Sequence, residues 1–456
     1  MTCSGSLASL AQLLSTSISG QPAAETFSGV STDTRQLRSG NLFVAIAGER
    51  FDGHDYSAEA FQKGAVAAIA SRPLDGPYLL VPDTLVAYQT LARWWRSQFA
   101  IPVLAITGSA GKTSTKELLA AALSAYGTVL KTEANFNNDL GVPLTLLQLD
   151  QCHDFAVVEM AMRGPGEIAR LAGTALPTHG LITNVGTAHI GRLGSREAIA
   201  KAKCELLQSL DPQAGVALLN GEDELLQTTA ARVWSGKTLR FGLDRDPFPL
   251  TWQPHPSVLQ WGDRRFPVPL AGRHQALNYA AVLVAIDGLG LDLDPLQQGI
   301  ALPAQLSGRN RVLMLPDGVE ILDETYNAAP EAMVAALQVL CQSGDRRHWA
   351  VLGPMRELGD AAPELYAAVG AIAAQLELAG ICLFDPEAEM ESLVQALPGD
   401  RVYQFGDRDE LAQWLAARVE GGDRILFKAA RSIALETVLQ RFVAQRYPER
   451  ELTAAD

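Results

Sequence analysis

PVLAITGSAGKTSTKELLAAALSAYG, residues 102–127, passes from a strand pattern through a glycine turn into a helix pattern. The apolar run ending at Ile106 reads as a strand buried on both faces. Gly108, Ser109, Ala110 and Gly111 form the turn, and Lys112, Thr113 and Ser114 open the helix. Backbone N–H groups at such a turn, with the helix N-terminus behind them, cradle phosphates. Lys112 would place positive charge beside a transferred phosphoryl group, and Thr113 would offer an oxygen to Mg²⁺. The spacing departs from GxxxxGK[ST], because Ile106 stands at the first glycine position. The order strand, glycine turn, Lys-Thr, helix still favours a nucleotide triphosphate over a dinucleotide, whose GxGxxG turn carries no Lys-Thr.

The surrounding chain has 456 residues, enough for about three domains. A hydrophobic fraction of 48% with 19% charged residues excludes global disorder. With 51 acidic and 37 basic residues the formal net charge is -14, which opposes nucleic acid and anionic membrane surfaces. Five widely spaced cysteines without a CxxC argue against a disulfide scaffold or structural zinc. The first residues carry neither a basic region nor a long apolar run, and no stretch approaches a membrane span. A soluble, cytoplasmic protein is expected.

Three units are expected, at 1–98, 99–312 and 313–456. In the first, NLFVAIAG, AVAAIA and YLLVPD read as strands between helices, with Trp94 and Trp95 as packing residues. In the second, FAVVEM and GLITNVG extend a mostly parallel sheet, and residues 215–270 turn strand-rich. In the third, VEILDETY, HWAVLG, GICLFD and RILFKAA alternate with helices in a Rossmann-like rhythm.

Several side chains bear on chemistry. Glu159 ends AVVEM, where a carboxylate near a phosphate loop holds Mg²⁺ directly or through water, or is simply solvated. His189, in GTAHIG, reads equally as a second metal ligand or a polar loop residue, while His153 reads as structural or exposed. In the helix pattern 195–210, Ile199, Lys203, Leu206 and Leu210 share one face, whereas Lys201 points elsewhere. A lysine on an apolar face must snorkel, pair or be modified. A neutral Lys203 could take up CO₂ as a carbamate and become an anionic ligand for a second Mg²⁺. Asn278 could face an adenine edge or be an ordinary helix residue. Arg309 in SGRN could clamp a phosphate oxygen, and Asp323 could accept from a ribose hydroxyl. Tyr326 and Asn327 form a polar turn, and Lys428 and Arg431 could hold a carboxylate.

Together, TGSAGKTST, Glu159, His189 and AKCE around Lys203 resemble the Mur ligase family. The blocks TEANFNNDLGVPLTLL, LAGRHQALNYAA, SGRN, DETYNAAP, GPMRELG and FKAARS resemble its branch that acts with D-alanyl-D-alanine. STDTRQLRSGNLFVAIAGERFDGHDY resembles that branch's nucleotide-sugar domain. The resemblance implies a three-domain α/β architecture, with a central P-loop parallel-sheet domain and a C-terminal Rossmann-like domain. It implies ATP-dependent amide ligation of D-alanyl-D-alanine to UDP-N-acetylmuramoyl-tripeptide, through an acyl phosphate, in peptidoglycan precursor synthesis. It further implies Mg²⁺ at Thr113 and Glu159, a second Mg²⁺ at His189 and carbamylated Lys203, and ATP contacts from Asn278, Arg309 and Asp323. Ser31, Thr34 and Arg35 would meet the UDP end. Asn135, Asn137 and Asn138 would meet the muramoyl-peptide, with Tyr326 and Asn327 in the block typical of the dipeptide branch. A monomer is expected, with no nucleic-acid partner and no integral membrane contact.

Three positions depart from the family pattern. Pro354 replaces the aspartate of GDMxELG, Ala429-Ala430 replace Gly-Ser, and Gln275 replaces the usual asparagine after GRH. The competing readings are another Mur ligase, a folylpolyglutamate synthetase, or a P-loop ATPase without ligation. A DNPR block, typical of the diaminopimelate branch, is absent.

Overall fold

The computed structural model describes residues 3–48, 51–302, 308, 311–342 and 346–448. Its centre is a six-stranded sheet whose pairs are all parallel, in the order Lys237–Phe241, Val216–Asn220, His179–Ile182, Val103–Thr107, Phe155–Glu159, Val129–Lys131. VLAIT is buried at every position, as a strand covered on both faces must be. From that strand the chain runs to one edge, steps back through Phe155–Glu159, and crosses to His179–Ile182 on the other side. The crossing opens a crevice at the carboxyl ends of three adjacent strands, where open α/β sheets bind ligands.

A five-stranded sheet precedes it, in the order Ile18–Ser19, Tyr78–Leu80, Ala67–Ala70, Leu42–Val44, Val30–Ser31, parallel except for its first pair. Trp95 donates from its indole to the Leu149 carbonyl at 2.9 Å, so it packs the first unit onto the second as expected. The third sheet runs Arg311–Met314, Glu320–Glu324, Arg424–Lys428, His348–Leu352, Gly380–Phe384, Val402–Phe405, antiparallel only at the first pair. The strand-rich region after residue 215 gives the last two central strands and a separate antiparallel meander of Leu250–Pro254, Ser257–Trp261 and Arg264–Pro267. Among the described residues, no helix is long and apolar enough to cross a membrane.

The helix Arg196–Gln208 starts at Ser195, whose hydroxyl accepts the Ala198 N–H at 3.1 Å. Ile199, Lys203 and Leu206 are buried on its inner face, Leu210 is buried just past its end, and Lys201 is exposed. The amphipathic pattern therefore placed the anomalous lysine correctly.

Burial has a pH consequence remote from the crevice. His179 begins its strand in the central sheet, 2.9 Å from the Thr178 hydroxyl. Burial, aided by Lys237, pushes its pKa from 6.5 down to about 4. The unfolded chain therefore binds the extra proton first, and stability falls as the pH drops from about 6.5 towards 4. The neutral form contributes at most about 3 kcal/mol at neutral pH. His179→Gln should lose less stability than the parent chain between pH 7 and pH 5 in urea titrations. Equal losses would refute the assignment.

Candidate active site

The turn after Val103–Thr107 is held by the next strand's end. Ser109 N–H donates to the Asn184 carbonyl at 3.1 Å, and Ala110 N–H to the Asn184 side chain at 2.9 Å. Thr183 donates from its hydroxyl to the Ala110 carbonyl at 2.6 Å. Gly111 lies at φ +80°, and a Cβ there would stand 2.7 Å from Oδ1 of Asn278. Glycine is thus required by backbone conformation and by the approach of the helix Arg273–Gly288. Gly108, at φ +154°, likewise has no room for a side chain against the Thr183 hydroxyl.

This loop forms one wall of a cavity of about 410 Å³. Ser109, Ala110, Gly111, Lys112, Thr113 and Ser114 line it, with Glu159 and His189 on the same side. The third sheet supplies the facing wall through Glu324, Tyr326, Asn327 and Lys428. Lys112 is half-buried and donates to the Gly108 carbonyl at 2.7 Å.

Glu159 is almost fully buried at its strand's carboxyl end. Its two oxygens lie 3.1 and 2.9 Å from the Thr113 hydroxyl, and one accepts from Asn137 at 2.7 Å. Lys116, fully buried, stands 3.8 Å away and offsets part of the charge. Hydroxyl and carboxylate oxygens form a hard donor set suited to Mg²⁺. Among the described residues the Ser109 hydroxyl is buried without a partner, inside a loop that leaves no room for side chains at its glycines. These features fit a bound polyphosphate.

His189 sits on the wall at φ +68°. Burial lowers its pKa, with Glu357 opposing and Lys112 and Lys203 assisting. Burial also holds the Lys203 amine well below the ordinary lysine range, and the charge of Lys112 adds to the effect. Lys203 is not a wall residue, although it is near enough to feel the charge of Lys112.

The other expected positions divide. Asn135, Asn137, Asn278, Tyr326, Asn327 and Lys428 are on the wall. Lys428 reaches Glu324 at 3.2 Å. Asn138 is not on the wall: its side-chain oxygen accepts the Leu140 and Gly141 N–H groups and starts the next helix. Arg431 is exposed and off the wall, pairing with Glu436 at 2.7 Å and lying 5.7 Å over the Tyr326 ring. Asp323 is buried off the wall, accepts from the Thr325 hydroxyl at 2.7 Å and faces Arg311 at 3.6 Å, while the next residue, Glu324, lines the wall. Consecutive strand residues point to opposite faces, so the two carboxylates have different surroundings. Arg309 lies outside the described residues. Ser31 ends the edge strand Val30–Ser31 of the first sheet and Thr34 and Arg35 follow it; none of the three lines this wall. There Arg35 grips Asp33 with two nitrogens, at 2.9 and 2.7 Å.

The departures from the family pattern are accommodated locally. Gln275 accepts from Asn278 at 3.0 Å and reaches the Ser114 hydroxyl at 3.5 Å. Ala430 N–H donates to the Pro354 carbonyl at 2.9 Å, so the substituted loops meet each other. His153 belongs to a turn with Asp150 and Cys152 just before Phe155, at the opposite strand end from Glu159. Its Nδ1 accepts the Asp150 N–H at 3.1 Å.

Sequence reading missed Asn184, Lys116, Glu324, Glu331 and Glu357. Glu331 accepts the Thr187 N–H at 2.8 Å and its hydroxyl at 3.2 Å, tying the third unit to the second.

Family models match along the chain: the Mur ligase family catalytic domain over residues 26–122, the Mur ligase middle domain over 106–286, and the Mur ligase glutamate ligase domain over 308–431. The UDP-N-acetylmuramoyl-tripeptide–D-alanyl-D-alanine ligase of Synechocystis is 46% identical over 421 residues, covering 91% of this chain and 92% of that protein. The crystal structure of MurF from Acinetobacter baumannii aligns with a TM-score of 0.88 at 29% identity, covering 97% and 99% of the two chains. MurF from Thermotoga maritima, solved with ADP, aligns at 0.81 with 32% identity over 92% and 98%. A phosphate-type loop, a buried carboxylate and a facing Rossmann-like sheet thus occur in a chain matched by these models almost throughout, and the chain belongs to the Mur ligase family.

Proposed function

We propose that the chain joins D-alanyl-D-alanine to UDP-N-acetylmuramoyl-tripeptide at the expense of ATP, yielding the pentapeptide, ADP and phosphate. The carrying observation is a cavity lined both by the Lys112 loop and by Tyr326, Asn327 and Lys428. Such a cavity can bring a phosphoryl donor and an incoming amine to one carboxyl group. The names of the Synechocystis relative and of the aligned MurF structures support this substrate assignment.

The tripeptide carboxylate attacks the γ-phosphoryl group, ADP leaves, and an acyl phosphate forms. The dipeptide amine then attacks the acyl carbon, loses a proton, and expels phosphate as the amide forms. Lys112 stabilises charge spreading over the transferred phosphoryl oxygens. Thr113 and Glu159 would hold Mg²⁺, which supplies neutralisation of the phosphate charge. His189 and Lys203, the latter as a CO₂-derived carbamate, would hold a second Mg²⁺. The burial-lowered amine of Lys203 favours the neutral form that adds CO₂. Residues 1–98 would take the UDP end, 99–312 ATP, and 313–456 the dipeptide. The enzyme is taken to act as a cytoplasmic monomer, consistent with its soluble substrates.

With ATP, Mg²⁺ and both substrates, mass spectrometry should find the pentapeptide, with one ADP released per amide formed. ATP turnover that ignores the tripeptide and dipeptide would refute ligation in favour of a simple ATPase.

A further inference from the structure

Glu357 comes from the third unit, between the strand His348–Leu352 and the turn Gly359–Ala361. Yet its side chain engages the second unit. One carboxylate oxygen is hydrogen-bonded to Nδ1 of His189, and the other lies 3.4 Å from Arg192. Its backbone carbonyl accepts the Gly191 N–H at 2.9 Å. The two backbones are pressed together, since a Cβ on Gly191 would stand 2.5 Å from the Gly359 nitrogen. Both His189 and Glu357 hold left-handed conformations, φ +68° and +62°. Such values are uncommon outside glycine and persist where surrounding contacts enforce them. Two enforced backbones meeting at one imidazole–carboxylate pair indicate a built contact.

A carboxylate on one imidazole nitrogen fixes a proton there and leaves the other nitrogen as the electron-pair donor. We propose that Glu357 is a positioning residue for His189, orienting its imidazole toward a divalent cation only when the third unit is docked on the second. The proposal rests on reading His189 as a cation ligand. Docking of the dipeptide-binding unit would then complete the cation site, so that charge stabilisation becomes available as the amine-bearing side closes. Arg192 holds the carboxylate, and the Gly191 N–H holds the Glu357 backbone, in register.

The test is Mn²⁺ binding to the full chain in the presence of a non-hydrolysable ATP analogue, read by electron paramagnetic resonance. Analogue affinity without divalent cation serves as the folding control. Glu357→Ala should weaken the His189-dependent Mn²⁺ site by about tenfold. Glu357→Asp, whose carboxylate is one methylene short, should behave like Ala. Glu357→Gln, whose amide oxygen can still accept from Nδ1, should recover most of the affinity. In a His189→Ala background, Glu357→Ala should add nothing. Unchanged affinity in Glu357→Ala while His189→Ala weakens binding would overturn the positioning role and leave the ligand reading intact. Tighter binding in Glu357→Ala would make the carboxylate a competitor for the imidazole, also overturning it. Unchanged binding in His189→Ala would remove the ligand reading itself, and the proposal with it.

Discussion

Lys112→Ala should lower kcat about a thousandfold, or roughly 4 kcal/mol of transition-state stabilisation, while KM for ATP changes much less. The asymmetry follows from the loop. Ground-state phosphate is to be held largely by backbone N–H groups, which the substitution leaves in place. The ammonium becomes most valuable when charge spreads over the transferred oxygens, in a cavity partly screened from water. In the free enzyme Lys112 rests on the Gly108 carbonyl at 2.7 Å and the Ser109 carbonyl at 3.4 Å, so it is already folded back over the loop. Those carbonyls can be hydrated after truncation because the site is open, and thermal stability should change little. Lys112→Arg should not restore the rate. A planar guanidinium is wider and cannot occupy the position of a compact ammonium above a tight turn. Steady-state kinetics with both substrates saturating would check this. A loss below tenfold in kcat would remove Lys112 from the phosphoryl-transfer step.

The contrast between Lys112 and Glu357 explains what a single sequence reveals. Lys112 is announced by its neighbours: an all-apolar strand, a glycine turn and a helix lie within about twenty residues. Glu159 is legible for the same reason, as the polar end of an apolar strand. Lys203 stands out because one charged residue interrupts an apolar helical face. Glu357 reaches His189 across 168 residues, and Glu331 reaches Thr187 across 144. Neither pairing leaves a local pattern, so both appear only once the units are docked. Short strands fail differently. Val129–Lys131 and Val402–Phe405 have three and four residues, too few for alternation to stand out. Asp323 and Glu324 show a third limit: the motif located the strand end but not which of two successive carboxylates faces the cavity. The fold places Glu324 on the wall and Asp323 beside Arg311.

Lys203→Ala should lower kcat by at least a hundredfold, and bicarbonate should make no difference to the variant. Wild-type enzyme prepared in CO₂-depleted buffer should lose activity and regain it on adding bicarbonate. The physical case starts from burial. Lys203 is 1% exposed on the face shared with Ile199 and Leu206, and among the described residues no carboxylate lies within ion-pair distance of its amine. An unpaired buried ammonium is expensive, so burial favours the neutral amine. A neutral amine can attack the carbon of CO₂ and release a proton, giving a carbamate. The anion then faces the same desolvation penalty and is stable only beside cations, which the adjoining nucleotide site would supply. Lys203→Met tests the two halves separately. It keeps the length and apolar stem, so the helix should pack with no loss of stability, yet it cannot form a carbamate. If the chemistry is right, Lys203→Met is as slow as Lys203→Ala while melting no lower than wild type. Labelling with ¹³C-bicarbonate should give a protein-bound carbamate resonance in wild type that both variants lack. Full activity in Lys203→Met would reduce Lys203 to a packing residue and leave the second cation without its anionic ligand.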